Sequence, residues 1–138
     1  MSYPIVKIVG IGPKYRDDLK SAGITFTRDL LASASTPEAR EELSRKTGIS
    51  EKLILEWANH CDLMRIPGIG PSEADHLEEI GVDTVLELAR RNPENLHKNL
   101  KEHIEKKAGQ TLIPDLPTVE KWVLYAGNRI LFPRMLEY

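Results

Sequence analysis

Two short runs carry residues whose types and spacing suit anion binding. Gly10-Ile11-Gly12-Pro13 and Gly68-Ile69-Gly70-Pro71 stand 58 residues apart, each just ahead of a helical pattern. Glycine serves where the backbone takes positive φ or must approach a neighbour closely. Proline suits the first helical position, where an N–H is not needed. Each run therefore reads as a tight turn that opens a helix, with positive φ expected at Gly12 and Gly70. Such a turn aims free backbone N–H groups at one point, and that makes an anion site. The competing reading is a turn that only joins two helices.

The other reactive side chains offer less. His60-Cys61 pairs a nucleophile with a metal ligand, but adjacent helical residues diverge. Cys61 is the one cysteine of the chain. A core thiol beside a surface histidine is expected there. His97 and His103 are six residues apart, not the three or four that would bring them together on a helix. The run "HKNLKEHIEKK" holds Lys98, Lys101, Lys106 and Lys107, but Glu102 and Glu105 interrupt it. It reads as a solvated helix face rather than a track for phosphates. No paired-carboxylate motif, nucleophile elbow or phosphate-binding P-loop is written in the chain. The expectation is a binding module and not an enzyme.

Composition sets the frame. The 138 residues have room for one ordinary domain or two very small ones. Hydrophobic residues make up 41%, enough for a packed core. The net charge of −2 lacks the basic excess of a protein that coats DNA. A single cysteine gives no intramolecular disulfide and suits a reducing compartment. No stretch approaches the roughly 18 apolar residues of a membrane span, and "MSYPIVKIVG" has no signal-peptide core. A soluble, cytoplasmic protein that avoids membranes is expected.

The elements that must position the glycine turns repeat with them. "GIGPKYRDDLKSAGITFTRDLL" lies over "GIGPSEADHLEEIGVDTVLELA" without gaps. Gly10, Gly12, Pro13, Leu19, Gly23 and Leu30 fall on Gly68, Gly70, Pro71, Leu77, Gly81 and Leu88. An internal duplication organises the chain. Thr36-Pro37-Glu38 and Asn92-Pro93-Glu94 each read as an N-cap, a first-position proline and a first-turn acid. Thr84 and Glu87 have capping-box spacing. Phe26 replaces that threonine in the first copy, so Thr25 or Thr27 is expected to cap. Ser50 and Thr118 are the expected caps of two further helices, Leu53–Asp62 and Val119–Leu131. The first carries Leu53, Ile54, Trp57, Ala58 and Cys61 as an apolar stripe, the second Trp122, Val123, Ala126 and Ile130. No segment alternates like a strand.

The expected fold is all-α: two tandem units of about four short helices each, 5–62 and 63–131, followed by a tail, 132–138. Each unit has little core of its own, so the two are expected to pack together. The tail "LFPRMLEY" either folds back on the core or meets another chain.

The glycine runs also resemble a known motif. "LMRIPGIGPSEADHLEEIG" is similar to a helix-hairpin-helix, with Ile66, Pro67, Gly68, Ile69, Gly70, Ala74 and Leu77 on its pattern. "KTGISEKLILEWA" resembles the second, less regular hairpin in the N-terminal domain of RadA-type recombinases. A degraded counterpart lies around "QTLIPDLPTVEKW" in the second unit. The chain as a whole is similar to domain-of-unknown-function family 4332. The helix-hairpin-helix resemblance implies sequence-independent DNA binding, with hairpin N–H groups on a phosphate and a monovalent cation nearby. It implies no other cofactor. Carried over, the nucleic-acid-binding residues are Gly10, Ile11, Gly12 and Lys14 in the first copy. In the second they are Gly68, Ile69, Gly70 and Ser72.

This chain departs from the pattern in two ways. Arg16 stands where the motif has a small alanine, kept as Ala74 in the second copy. Either its stem lies along the packed helix or the first hairpin packs differently. Charge also differs. Lys7, Lys14, Arg16 and Lys20 against Asp17 and Asp18 give +2 over 7–20, while Arg65 against Glu73, Asp75 and Glu78 gives −2 over 65–78. Two partners remain in play: DNA on the first hairpin, or a protein held by a scaffold that has lost phosphate binding.

Overall fold

Proline starts four of the helices. In the structure, a computed structural model describing residues 2–107 and 112–138, α1 (Pro13–Ser21), α3 (Pro37–Thr47), α5 (Pro71–Glu79) and α7 (Pro93–Lys106) all begin on one. Between them stand α2 (Thr27–Ser33), α4 (Glu51–Leu63) and α6 (Val85–Ala89), with α8 (Leu116–Ala126) last. A 3-10 turn, Ile5–Lys7, precedes α1. The protein is all-α. Among the described residues the one extended pairing is an isolated bridge between Pro4 and Phe26.

Several caps lie where the sequence places them. The amides of Ala39, Leu53, Glu87 and Asn95 donate to the side chains of Thr36, Ser50, Thr84 and Asn92 at 3.0–3.2 Å. Three expectations fail. The Glu87 carboxylate turns to Arg91 instead of closing a capping box at Thr84. Neither Thr25 nor Thr27 caps α2: the Asp29 carboxylate accepts from the amides of Phe26 and Thr25, and the Thr27 hydroxyl accepts from the Tyr3 amide. Asp115, not Thr118, caps α8, accepting from the Thr118 amide at 2.9 Å. That helix stops at Ala126, with Gly127 as its C-cap. The chain then turns around the Asn128 side chain, which accepts from the amides of Ile130 and Leu131. Ile130, expected on the apolar stripe, is 92% exposed.

The Asp29 arrangement has a pH signature. The Phe26 and Thr25 amides hold its carboxyl below the ordinary value of 3.8. A carboxyl with a depressed folded-state pKa adds stability above its unfolded value and loses it as pH falls through the folded one. Asp29→Asn should therefore destabilise at neutral pH. The deficit should shrink below about pH 3.8, where wild type itself protonates. Urea midpoints of both proteins across pH 7 to 3 read this, and a constant deficit would show that the charge plays no part.

The chain divides into two compact units, Met1–Asp62 with Met135–Tyr138, and Leu63–Arg134. In the first, Leu19, Ile24, Leu30, Ile54 and Trp57 are buried; in the second, Leu77, Val82, Leu88, Leu100 and Trp122. The end of the tail belongs to the first unit. Its Glu137 amide donates to the Ser35 carbonyl at 2.8 Å, the Tyr138 hydroxyl donates to Asn59 Oδ1, and Leu136 is buried. Arg40, itself buried, donates to the carbonyls of Ala34 and Glu137 at 2.8 and 2.7 Å. Of the irregular hairpin expected around residues 110–122, Gln110 and Thr111 lie outside the described residues. No described helix is long and apolar enough to cross a membrane.

Candidate nucleic-acid interface

Each glycine run builds the same local geometry. The Ile11 amide donates to the Ile8 carbonyl at 3.1 Å, and the Ile69 amide to Ile66 at 3.0 Å. The third residue of each turn takes positive φ, +99° at Gly10 and +91° at Gly68. No described residue other than glycine has positive φ. A four-residue turn with positive φ only at its third position is the type II pattern. Gly12 and Gly70, expected in that region, are instead extended N-caps, at φ −87° and −96°. The turn is closed before the second glycine is reached. That glycine only has to accept the first helical bond, from the Arg16 amide at 3.0 Å and the Ala74 amide at 2.9 Å.

The expected binding residues divide on this geometry. Ile11 and Ile69 are buried anchors whose amides are used inside the turn. In the first unit no acceptor among the described residues takes the N–H of Gly12, Lys14 or Tyr15. These are the orphan donors of a helix N-terminus, where the helix dipole favours an anion. Lys14 stands beside them with its side chain 83% exposed. In the second unit the Glu73 carboxylate takes the Gly70 amide at 2.9 Å. Ser72 is exposed next to it. The second glycine turn thus carries its own anion, whereas the first has no acid in the first turn of α1.

The basic side chains beside the first glycine turn are loosely held. Lys14 pairs with Asp18 at 3.0 Å and Arg16 with Asp17 at 3.1 Å. Exposed pairs like these contribute about 0–1 kcal/mol, so a phosphate can compete for either cation. Arg16 is half exposed where Ala74 is fully buried. Its guanidinium stays in water while Tyr15 packs edge-on against Trp57, ring centroids 5.1 Å apart.

The remaining candidates are structural. Cys61 is buried, and burial pushes its thiol well above the ordinary range, which removes it as a nucleophile. His60, expected at the surface, is also buried. In α7, Leu96, Leu100 and Ile104 face inward while Lys98, Lys101 and Lys106 are exposed. His103 does not meet His97, but it does meet His76 of α5, ring centroids 5.6 Å apart. No local spacing announces that contact, because 27 residues separate the two histidines.

These features define an all-helical protein whose glycine turns present helix N-termini, the second with its Gly70 amide held by Glu73 and the first without such a cap. Residues 9–129 match the family described as a domain of unknown function (DUF4332), and the chain belongs to that family. A DNA polymerase IV from Streptomyces coelicolor (strain ATCC BAA-471 / A3(2) / M145) is 29% identical over 92 residues, covering 62% of this chain and 19% of the polymerase. The chain therefore spans about a fifth of that relative's length. No solved structure matches it significantly.

Proposed function

We propose that the chain is a non-enzymatic binding module of two tandem helix-hairpin-helix units, whose first hairpin holds nucleic-acid phosphates without sequence preference. The observation that carries this reading is the set of unused amides at Gly12, Lys14 and Tyr15, inside a segment of net charge +2. The repeated φ values at Gly10 and Gly68 support the duplication. The similarity to a polymerase that acts on DNA supports the partner. Binding through a few phosphate contacts should be weak, with Kd roughly 10⁻⁴ to 10⁻⁶ M at physiological salt. A monovalent cation beside the hairpin would accompany it.

Fluorescence anisotropy with duplex DNA at several salt concentrations tests this. Affinity should fall steeply with salt, and Lys14→Glu should weaken it alike on unrelated sequences, since phosphates carry no base information. Glu73→Lys should strengthen binding, because it releases the Gly70 amide and replaces a carboxylate with a cation. Absence of binding even at low salt, where surface charges are least screened, would remove the nucleic-acid partner.

One observation favours a second reading, a protein-interaction adaptor. Leu124, Ile130 and Leu131 of the second unit are 65–92% exposed, and large exposed apolar side chains in one segment suit a protein partner. On that reading Lys14→Glu is silent towards DNA, and Ile130→Glu abolishes recovery of the partner by pull-down.

A further inference from the structure

In the second unit, two elements bring together three metal-ligating side chains. His76 and Glu79 lie one helical turn apart near the end of α5, and His103 sits in the last turns of α7. His76 Nδ1 lies 3.9 Å and His103 Nε2 3.6 Å from the same oxygen, Glu79 Oε1. All three atoms are within 4.8 Å of one another. We propose that His76, Glu79 and His103 form a binding site for a divalent transition-metal ion of the zinc class.

The two imidazole nitrogens give an independent reason. His76 Nδ1 and His103 Nε2 are buried and have no hydrogen-bond partner among the described residues. The His76 side chain is only 7% exposed. Buried polar atoms are nearly always partnered, so two orphans aimed at one carboxylate oxygen need a common cause. A metal ion supplies it, because it would take a lone pair from each nitrogen. Zinc bonds of about 2.0–2.2 Å in a tetrahedron set donor atoms roughly 3.3–3.6 Å apart. The distances to Glu79 must shorten by only a few tenths of an ångström. Two imidazoles and a carboxylate suit zinc and its neighbours, whereas magnesium and calcium prefer all-oxygen shells. The His103 and Glu79 side chains are 23% and 34% exposed, so the site is open to solvent.

Lys107 shapes the site. Its ammonium lies 2.6 Å from Glu79 Oε1, on a side chain that is 44% exposed. That contact places a positive charge on the carboxylate oxygen that both imidazoles face. Lys107 thus acts as a resident cation that a metal must displace. Its exposed stem lets it swing into solvent. Removing it should tighten metal binding, an effect that a purely structural ion pair does not predict.

Isothermal titration of the full, tag-free chain with Zn²⁺, and with Mg²⁺ as control, decides the matter. One Zn²⁺ should bind per chain and Mg²⁺ should not. His103→Gln should weaken Zn²⁺ binding by at least about tenfold, the scale of losses at metal-supporting positions. Lys107→Gln, a surface change that leaves the helices intact, should strengthen it several-fold. Circular dichroism of His103→Gln checks that α7 still forms. The proposal is overturned if wild type takes up no Zn²⁺, or if folded His103→Gln binds it as well as wild type.

Discussion

Gly68→Val should cost about 3 kcal/mol of stability, combining left-handed strain with overpacking. For a unit of this size that is a drop in Tm of more than about 10 °C. Gly68 sits at φ +91°, and a Cβ placed there would lie 3.0 Å from Trp122 Nε1. Trp122 is buried and has little room to retreat. Valine adds a second obstacle, because a β-branched side chain strongly disfavours that backbone region. Gly10→Val should lose somewhat less: φ is +99°, but the nearest atom, Trp57 Nε1, is 3.6 Å away. Gly12→Val is the control. Its φ of −87° suits valine, and its Cβ would meet nothing within 4 Å. Its cost should stay below about 1 kcal/mol, the difference between glycine and valine at an N-cap. Thermal melts of the three variants give the order. If Gly12→Val were as damaging as Gly68→Val, the positive φ would not be what these turns require.

That ordering reverses the expectation drawn from the sequence, and the reason is physical. In Gly-Ile-Gly-Pro either glycine can supply positive φ, and the quartet itself does not say which. The deciding residues lie upstream. Ile66-Pro67-Gly68-Ile69 has proline second and glycine third, the type II signature, and it was there to be read. The helices were legible because proline and a polar cap mark a start independently of tertiary context, as at Thr36-Pro37 and Asn92-Pro93. Where two signals competed, reading failed. At the start of α8, Asp115 and Thr118 are both cap residues, and Pro117 fits inside a start at Asp115 or just ahead of one at Thr118. At its end, Gly127 marked the stop, but the apolar spacing through Ile130 ran past it. The cluster of His76, Glu79 and His103 was not legible at all. It exists only because α5 and α7 pack against each other, and the connections on either side of α6 between them can take many lengths without changing any local pattern. The second glycine turn lies between these cases. The sequence shows Glu73 as an opposing charge, but that its carboxylate reaches back to the Gly70 amide is a matter of rotamer.

Deleting residues 135–138 should destabilise the first unit by about 3–6 kcal/mol without changing the oligomeric state of the protein in solution. Two losses add. Leu136 is buried, and burying a leucine side chain contributes roughly 1.5–3 kcal/mol. Arg40 loses the Glu137 carbonyl it holds at 2.7 Å, and hydrogen bonds to charged groups contribute about 1.5–3 kcal/mol. The second loss is the more telling, because Arg40 is 5% exposed. Without Glu137 it keeps the Ala34 carbonyl as its remaining hydrogen-bonded acceptor, and a buried charge short of partners is costly. Replacing the charge should therefore relieve part of the damage. Arg40→Met in the full chain leaves two carbonyls without their donor and should destabilise. In the truncated chain the same change removes a poorly partnered cation and should cost less, or even stabilise. The difference between the two costs is the coupling between tail and arginine. Denaturant unfolding of the four proteins measures it, and light scattering follows the oligomeric state. A coupling near zero would mean that the tail only covers Arg40. A fall in oligomeric state on deletion would mean instead that the tail joins one copy of the chain to another.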